Sequence, residues 1–253
     1  MTDKIRSGES NRSRCFHSPM TSVTCTAPPA GRCWRSDDAT RSHRLSPTRR
    51  KIQGSSLWCG VLVPLVYFGA QVAAAPFHPD YSFLVNSASQ LGSDASTLPA
   101  LLNGGAILSG VLGLLSAYGI GTGLQAAGAK PWFAWLCAAC SVSVGAAAIW
   151  AGLHPMPDPQ HDPGALGIGM FLGPLALIAA FWNVRDGRAM RGYLWFTLVA
   201  FAALVPVMSG ITLVDLNRYG GLMQRIAALV LYLPPAVTAW WLMRVGVQPS
   251  TRH

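Results

Sequence analysis

The sequence predicts an all-α membrane protein: a bundle of six transmembrane helices behind a disordered N-terminal tail. Three observations carry this. First, of 253 residues 51% are hydrophobic and only 11% charged, whereas a soluble domain carries about a quarter of its residues as charges. Second, six stretches of about 18–23 residues contain no Asp, Glu, Lys or Arg, and a helix needs about 20 residues to cross roughly 30 Å of hydrocarbon. Isolated strands cannot satisfy their backbone in lipid, so such spans are helices. Third, the net charge of +9 is uneven: residues 1–55 hold eleven basic and four acidic residues, and the rest hold eight and six.

Residues 1–55 are rich in Ser, Thr and Arg and show no apolar periodicity. A segment like this buries too little apolar surface to fold alone, which predicts a basic, disordered cytoplasmic tail. Nucleic-acid binding is not indicated, because no basic stripe with interleaved aromatics follows. An anionic leaflet surface is the natural neighbour of such a tail.

The spans are centred on Leu57–Ala75, Leu101–Gly123, Trp132–Leu153, Ala165–Asn183, Tyr193–Leu213 and Ile226–Met243. Together they make a domain over residues 56–245, with a short C-terminal tail at 246–253. Arg49, Arg50 and Lys51 before an apolar run ending in Ala73–Ala75 also fit a cleaved signal peptide. The second span places Gly105, Ser109, Gly113, Ala117 and Gly121 at four-residue spacing on one face. Small residues let another backbone approach, which predicts a packing seam within the bundle. Pro206 is placed to break the fifth span. The sequence leaves the oligomeric state open.

Orientation follows from Lys and Arg in the short loops. With the tail inside, the inner side carries Lys130, Arg185, Arg188, Arg191, Arg244 and Arg252, and the outer side carries only Arg218 and Arg225. The expectation is a multi-pass cell (inner) membrane protein with both termini cytoplasmic.

The candidate chemistry gathers on the outer side, in His78–Gly92, His154–Asp162 and Asp215–Arg225. His78, His154 and His161 lie there with Asp80, Asp158 and Asp215. Imidazoles and carboxylates are the ligands of a divalent metal such as zinc, so His78, His154 and His161 are metal candidates, although their spacing matches no zinc signature. Asp80, His154 and Asp158 are the catalytic candidates. Asp80 and Ser89 offer a base and a nucleophile, since nucleophilic hydrolysis needs a hydroxyl beside a proton acceptor. The bland reading of the same residues is turns and helix caps. Arg225, about one turn into the last span, carries a charge that is costly there. It is expected to pair with Asp158, with Asp215 or with an anionic head group. Asn103, early in span two, is an interhelical hydrogen-bonding or ligand-binding candidate, as are Ser89 and Asp215.

Three segments resemble the uncharacterised membrane family known as domain of unknown function 998. They are Pro79-Asp80-Tyr81-Ser82 with Ser89-Gln90-Leu91-Gly92, the Pro157-Asp158 turn, and Gly221-Leu222-Met223-Gln224-Arg225-Ile226. The resemblance covers about residues 57–243. It implies a multi-helix membrane domain and no particular activity. Family members often carry an acidic residue where this chain has Gln90, which removes any acidic role at that position.

The function expected first is a membrane-embedded enzyme or lipid-binding protein with an outer-face polar site for an anionic or lipid-linked substrate. A transporter or channel for a small solute would need polar residues along a path through the membrane, and the mid-span polar set is thin. A non-catalytic scaffold is the third reading.

Overall fold

The computed structural model describes residues 46–247 apart from residues 185 and 213. The expected disorder of residues 1–45 falls outside the described residues, as do Arg185, Arg252 and residues 248–253. Among the described residues six α-helices follow one another: α1 Pro47–Ala74, α2 Ala100–Ala126, α3 Pro131–Leu153, α4 Gly169–Phe181, α5 Arg188–Met208 and α6 Leu216–Val247. A 3₁₀ turn, Ala75–Phe77, ends α1, and another, Gly164–Ile168, leads into α4. No strand occurs among the described residues.

Each helical segment is long and apolar enough to span a bilayer, with mean hydropathy between 1.5 and 2.0. Large apolar side chains such as Trp58, Leu65, Phe171 and Phe196 stand exposed on the bundle's outside. Lipid is the solvent that suits such a surface. The protein is a multi-pass integral membrane protein.

Two boundaries differ from the sequence reading. Helix α1 starts at Pro47, inside the segment assigned to the tail. Ser46 accepts the Arg49 N–H at 3.3 Å, and Pro47 occupies the first helical position, where its missing N–H costs nothing. Helix α6 starts at Leu216, well before the charge-free window, so Arg225 sits more than two turns inside it. Nor does Pro206 break α5, which runs on to Met208.

The closest helix pairs are α2 with α3 and α1 with α2; α6 touches α1, α2, α4 and α5. Backbone contact explains the first pair. A Cβ on Gly110 would lie 2.5 Å from the Gly145 carbonyl oxygen, and one on Gly145 would lie 2.7 Å from the Gly110 carbonyl oxygen. The expected seam is shared out rather than given to one neighbour. Gly105 meets Ala70 of α1, while Gly113 and Gly121 meet α3. Four-residue spacing drifts around a helix of 3.6 residues per turn, so a long row of small residues reaches more than one partner.

Two serine hydroxyls stitch helices together. Ser56 of α1 enters the hydrogen-bond ladder of α2, accepting the Gly119 N–H at 2.7 Å and donating to the Leu115 carbonyl at 2.5 Å. Ser143 of α3 does the same ahead of α4, accepting from Gly169 N at 2.9 Å and donating to Leu166 O at 2.5 Å. An apolar core with residues from all six helices, among them Leu57, Leu124, Cys137, Phe181, Leu194 and Leu242, is buried toward the end where α1 begins. The opposite end carries the α1–α2, α3–α4 and α5–α6 connections and is called the loop face below.

Gly145→Ala is expected to cost about 1–3 kcal/mol by overpacking, lowering the thermal midpoint in detergent by about 2–4 °C per kcal/mol. Gly104→Ala, whose Cβ meets nothing within 4 Å, should be neutral or stabilising by up to about 1 kcal/mol. Equal effects from the two substitutions would contradict the α2–α3 contact.

Candidate functional site at the loop face

The connection from α1 to α2 folds back on the start of α6. Arg225 holds it there. Its Nη1 donates to the carbonyls of Phe83 at 3.0 Å, Asn86 at 2.9 Å and Gly221 at 2.8 Å. Its Nη2 donates to the Tyr81 hydroxyl, and the guanidinium lies 4.8 Å from the Phe83 ring centroid. The Tyr81 hydroxyl in turn donates a hydrogen bond to the Ser87 carbonyl at 3.0 Å. Burial pushes that phenol above its ordinary 10.0 despite the neighbouring Arg225, so it remains a donor. The Gly221 and Leu222 amides add bonds to the Val85 and Leu84 carbonyls at 3.1 and 3.0 Å. Gly221 is needed for this approach, because a Cβ there would collide with the Asn86 carbonyl oxygen.

The clamp positions a 3₁₀ turn, Ala88–Gly92. Gln224 accepts the Ala88 N–H at 2.7 Å. Gln90 accepts the Ser87 N–H at 3.1 Å. Asn103, reaching up from α2, donates to the Gly92 carbonyl at 2.9 Å. Ser89 sits on this turn, half-buried, and its Oγ is 2.9 Å from His161 Nε2. His161 Nδ1 is 2.7 Å from the His154 carbonyl oxygen. A carbonyl only accepts, so in the neutral ring Nδ1 carries the proton and Nε2 is left to accept from the Ser89 hydroxyl. That is a nucleophile, a base and a group that orients the base.

The His161 loop is itself braced. Trp150 Nε1 donates to the Gln160 carbonyl at 2.7 Å. His154 Nδ1 is 3.2 Å from the Asp158 carboxylate, and Asp158 also accepts the Gln160 N–H at 2.8 Å. The Gln160 amide first and His154 second hold the Asp158 carboxyl below its ordinary 3.8.

The structure thus brings together Ser89, His161, His154 and Asp158, with Asn103 and Arg225 supporting the turn. It does not pair Ser89 with Asp80, which stands exposed with φ 55°, a left-handed turn that Asp tolerates better than most residues. Arg225 pairs with loop carbonyls rather than with Asp158 or Asp215. Asp215 closes the turn before α6 by accepting the Asn217 N–H at 3.0 Å. His78 lies against the Tyr81 ring, 5.4 Å between centroids, while the other two histidines serve the Ser89 side. The three expected metal ligands do not converge: no group of three His, Cys, Asp or Glu among the described residues could hold an ion. Sequence reasoning missed His161 as the partner of Ser89, and Tyr81 and Gln224 as supports. The only trace of the pair was that both residues fall on one face.

The fold and site define a multi-pass membrane protein with a hydroxyl–imidazole pair at one end of its bundle. The family model described as "Protein of unknown function (DUF998)" matches residues 61–241, and the chain belongs to that family. Two of the three resembling segments meet at this clamp: Tyr81 and the Ser89–Gly92 turn on one side, Gly221, Gln224 and Arg225 on the other. No curated protein and no solved structure matches the chain.

Arg225→Lys keeps the charge but not the planar fork. Losing hydrogen bonds to a charged group, each worth about 1.5–3 kcal/mol, should speed amide exchange in residues 81–90 by about tenfold or more. Unchanged exchange would contradict the clamp. A depressed carboxyl stabilises the fold above its unfolded pKa and loses that contribution as pH falls through the folded value. An NMR titration should therefore place the Asp158 midpoint below 3.8, and a midpoint at or above it would contradict the loop geometry.

Proposed function

We propose that the protein is a membrane-embedded, serine-type hydrolase or acyl-transfer enzyme. It works at the outer membrane face on an ester or amide carbonyl of a lipid or lipid-linked molecule. The observation that carries this reading is the Ser89–His161 contact, with Nδ1 of the imidazole committed to the His154 carbonyl. In the first step the Ser89 Oγ attacks the substrate carbonyl carbon while its proton moves to His161 Nε2. The tetrahedral adduct collapses, and the leaving alcohol or amine takes that proton, giving an acyl-Ser89. Water then attacks the acyl carbon, His161 takes its proton and returns it to Ser89, and the carboxylic acid departs. An acceptor alcohol in place of water would complete an acyl transfer.

Orientation supports an outer-face site. Of the six described basic residues beyond residue 55, Lys130, Arg188, Arg191 and Arg244 lie on the side opposite the loop face, and of the other two Arg225 is tied into the loop. Lipid presentation is supported by the place of the dyad, at the end of a lipid-facing bundle. The transport reading draws on prolines inside α1, α4, α5 and α6, but the loop-face groups there are spent on holding loops.

A charged, membrane-impermeant fluorophosphonate added to intact cells should form an adduct on Ser89. Ser89→Ala should abolish it, and His161→Ala should slow it by about 10²-fold or more. Asp80→Asn should leave it unchanged. Labelling that survives Ser89→Ala would sink the proposal, and labelling that needs cell lysis would reverse the orientation.

A further inference from the structure

The bundle holds a feature that the dyad does not use. Between α1, α2, α3, α4 and α6 lies a narrow, partly open cavity of about 70 Å³. Glycines open it: Gly60, Gly113, Gly145, Gly169 and Gly173 all stand on its walls. Three serines line it as well, yet each turns its hydroxyl back on its own helix. Ser109 donates to Gly105 O at 2.6 Å, Ser116 to Gly113 O at 2.7 Å and Ser141 to Cys137 O at 3.1 Å. Tyr232 adds one further hydroxyl to the lining. Walls of this kind give water too few partners to hold it. They offer an ion or a polar solute few groups to replace its hydration.

An apolar occupant fits, and the bilayer supplies one chemistry in abundance, the acyl chain. The position fits too. Ala148 lines the cavity and precedes His154 by six residues in the direction of the loop face, about 9 Å along the helix axis. We propose that this cavity receives the acyl chain of the substrate, so that the enzyme selects long-chain acyl lipids over short or soluble esters. The inference rests on the Ser89–His161 reading.

The test uses the full chain in detergent with two probes, an ethyl and a hexadecyl fluorophosphonate. In each reaction Ser89 Oγ bonds to phosphorus, fluoride leaves, and the hydroxyl proton passes to His161. Two variants fill the cavity, one from α3 and one from α4. They are Ala148→Phe, and Gly173→Leu, whose Cβ would meet only Cys140 Cβ at 3.9 Å. The hexadecyl probe should label the unaltered protein faster than the ethyl probe. Either variant should slow hexadecyl labelling by about tenfold or more, the factor for two methylenes losing burial, and leave ethyl labelling unchanged. Equal changes for both probes, or none, would overturn the proposal. Native mass spectrometry separates it from the enzyme reading. Retained lipid that is lost in the variants, with Ser89 inert to both probes, would overturn the enzyme and keep the acyl site. An unaltered protein that labels at Ser89 but carries no lipid and shows no chain preference would do the reverse.

Discussion

The loop face depends on one exchange of hydrogen bonds. Arg225 brings a charge more than two turns into α6, and the α1–α2 connection brings backbone carbonyls that no helix or sheet satisfies. Each meets much of the other's need: the guanidinium donates to Phe83 and Asn86 of the connection, as well as to Gly221 of its own helix, and lies over the Phe83 ring. A lysine has no such planar fork. Because the loop is anchored there, Gln224 can take the Ala88 amide and Asn103 can take the Gly92 carbonyl, fixing both ends of the turn that carries Ser89. A reacting group must be held within about 0.5 Å of its working position, and this turn is gripped from two helices.

Most of the fold was legible in the sequence because lipid imposes it. Excluding charge from about 20 residues at a time marks a span with little dependence on what the span packs against. The helix starts were less legible for a local reason. Ser46 and Pro47, like Asp215, act through capping and turn geometry outside the hydrophobic windows, so α1 and α6 reach further than charge exclusion indicates. The seam of small residues was visible on α2, but its partners were not, since Gly105 and Gly113 meet different helices.

The candidate site was legible by face and not by pairing. His154, His161, Asp158, Ser89 and Arg225 were all assigned to the correct end. Nothing in their spacing joins Ser89 to His161, which are 72 residues apart, whereas Asp80 shares the first loop with Ser89. Several polar residues also proved to build turns: Asp158, Asp162 and Asp215 each accept an amide two residues on. Short polar side chains do this readily, and an acidic loop cluster therefore reads as ligands when it is partly architecture. The mid-bundle serines teach the converse. Their hydroxyls looked like polar path residues, yet back-bonding to their own helices makes the cavity apolar.

The central claim is that His161 accepts the Ser89 proton because its other nitrogen is already donating. Nitrogen-15 NMR of the His161 ring in the neutral protein tests this most directly. The account predicts the Nδ1–H tautomer, with Nε2 unprotonated and facing Ser89. A neutral ring carrying its proton on Nε2 would make Ser89 the acceptor and leave the protein without the base that its proposed chemistry requires.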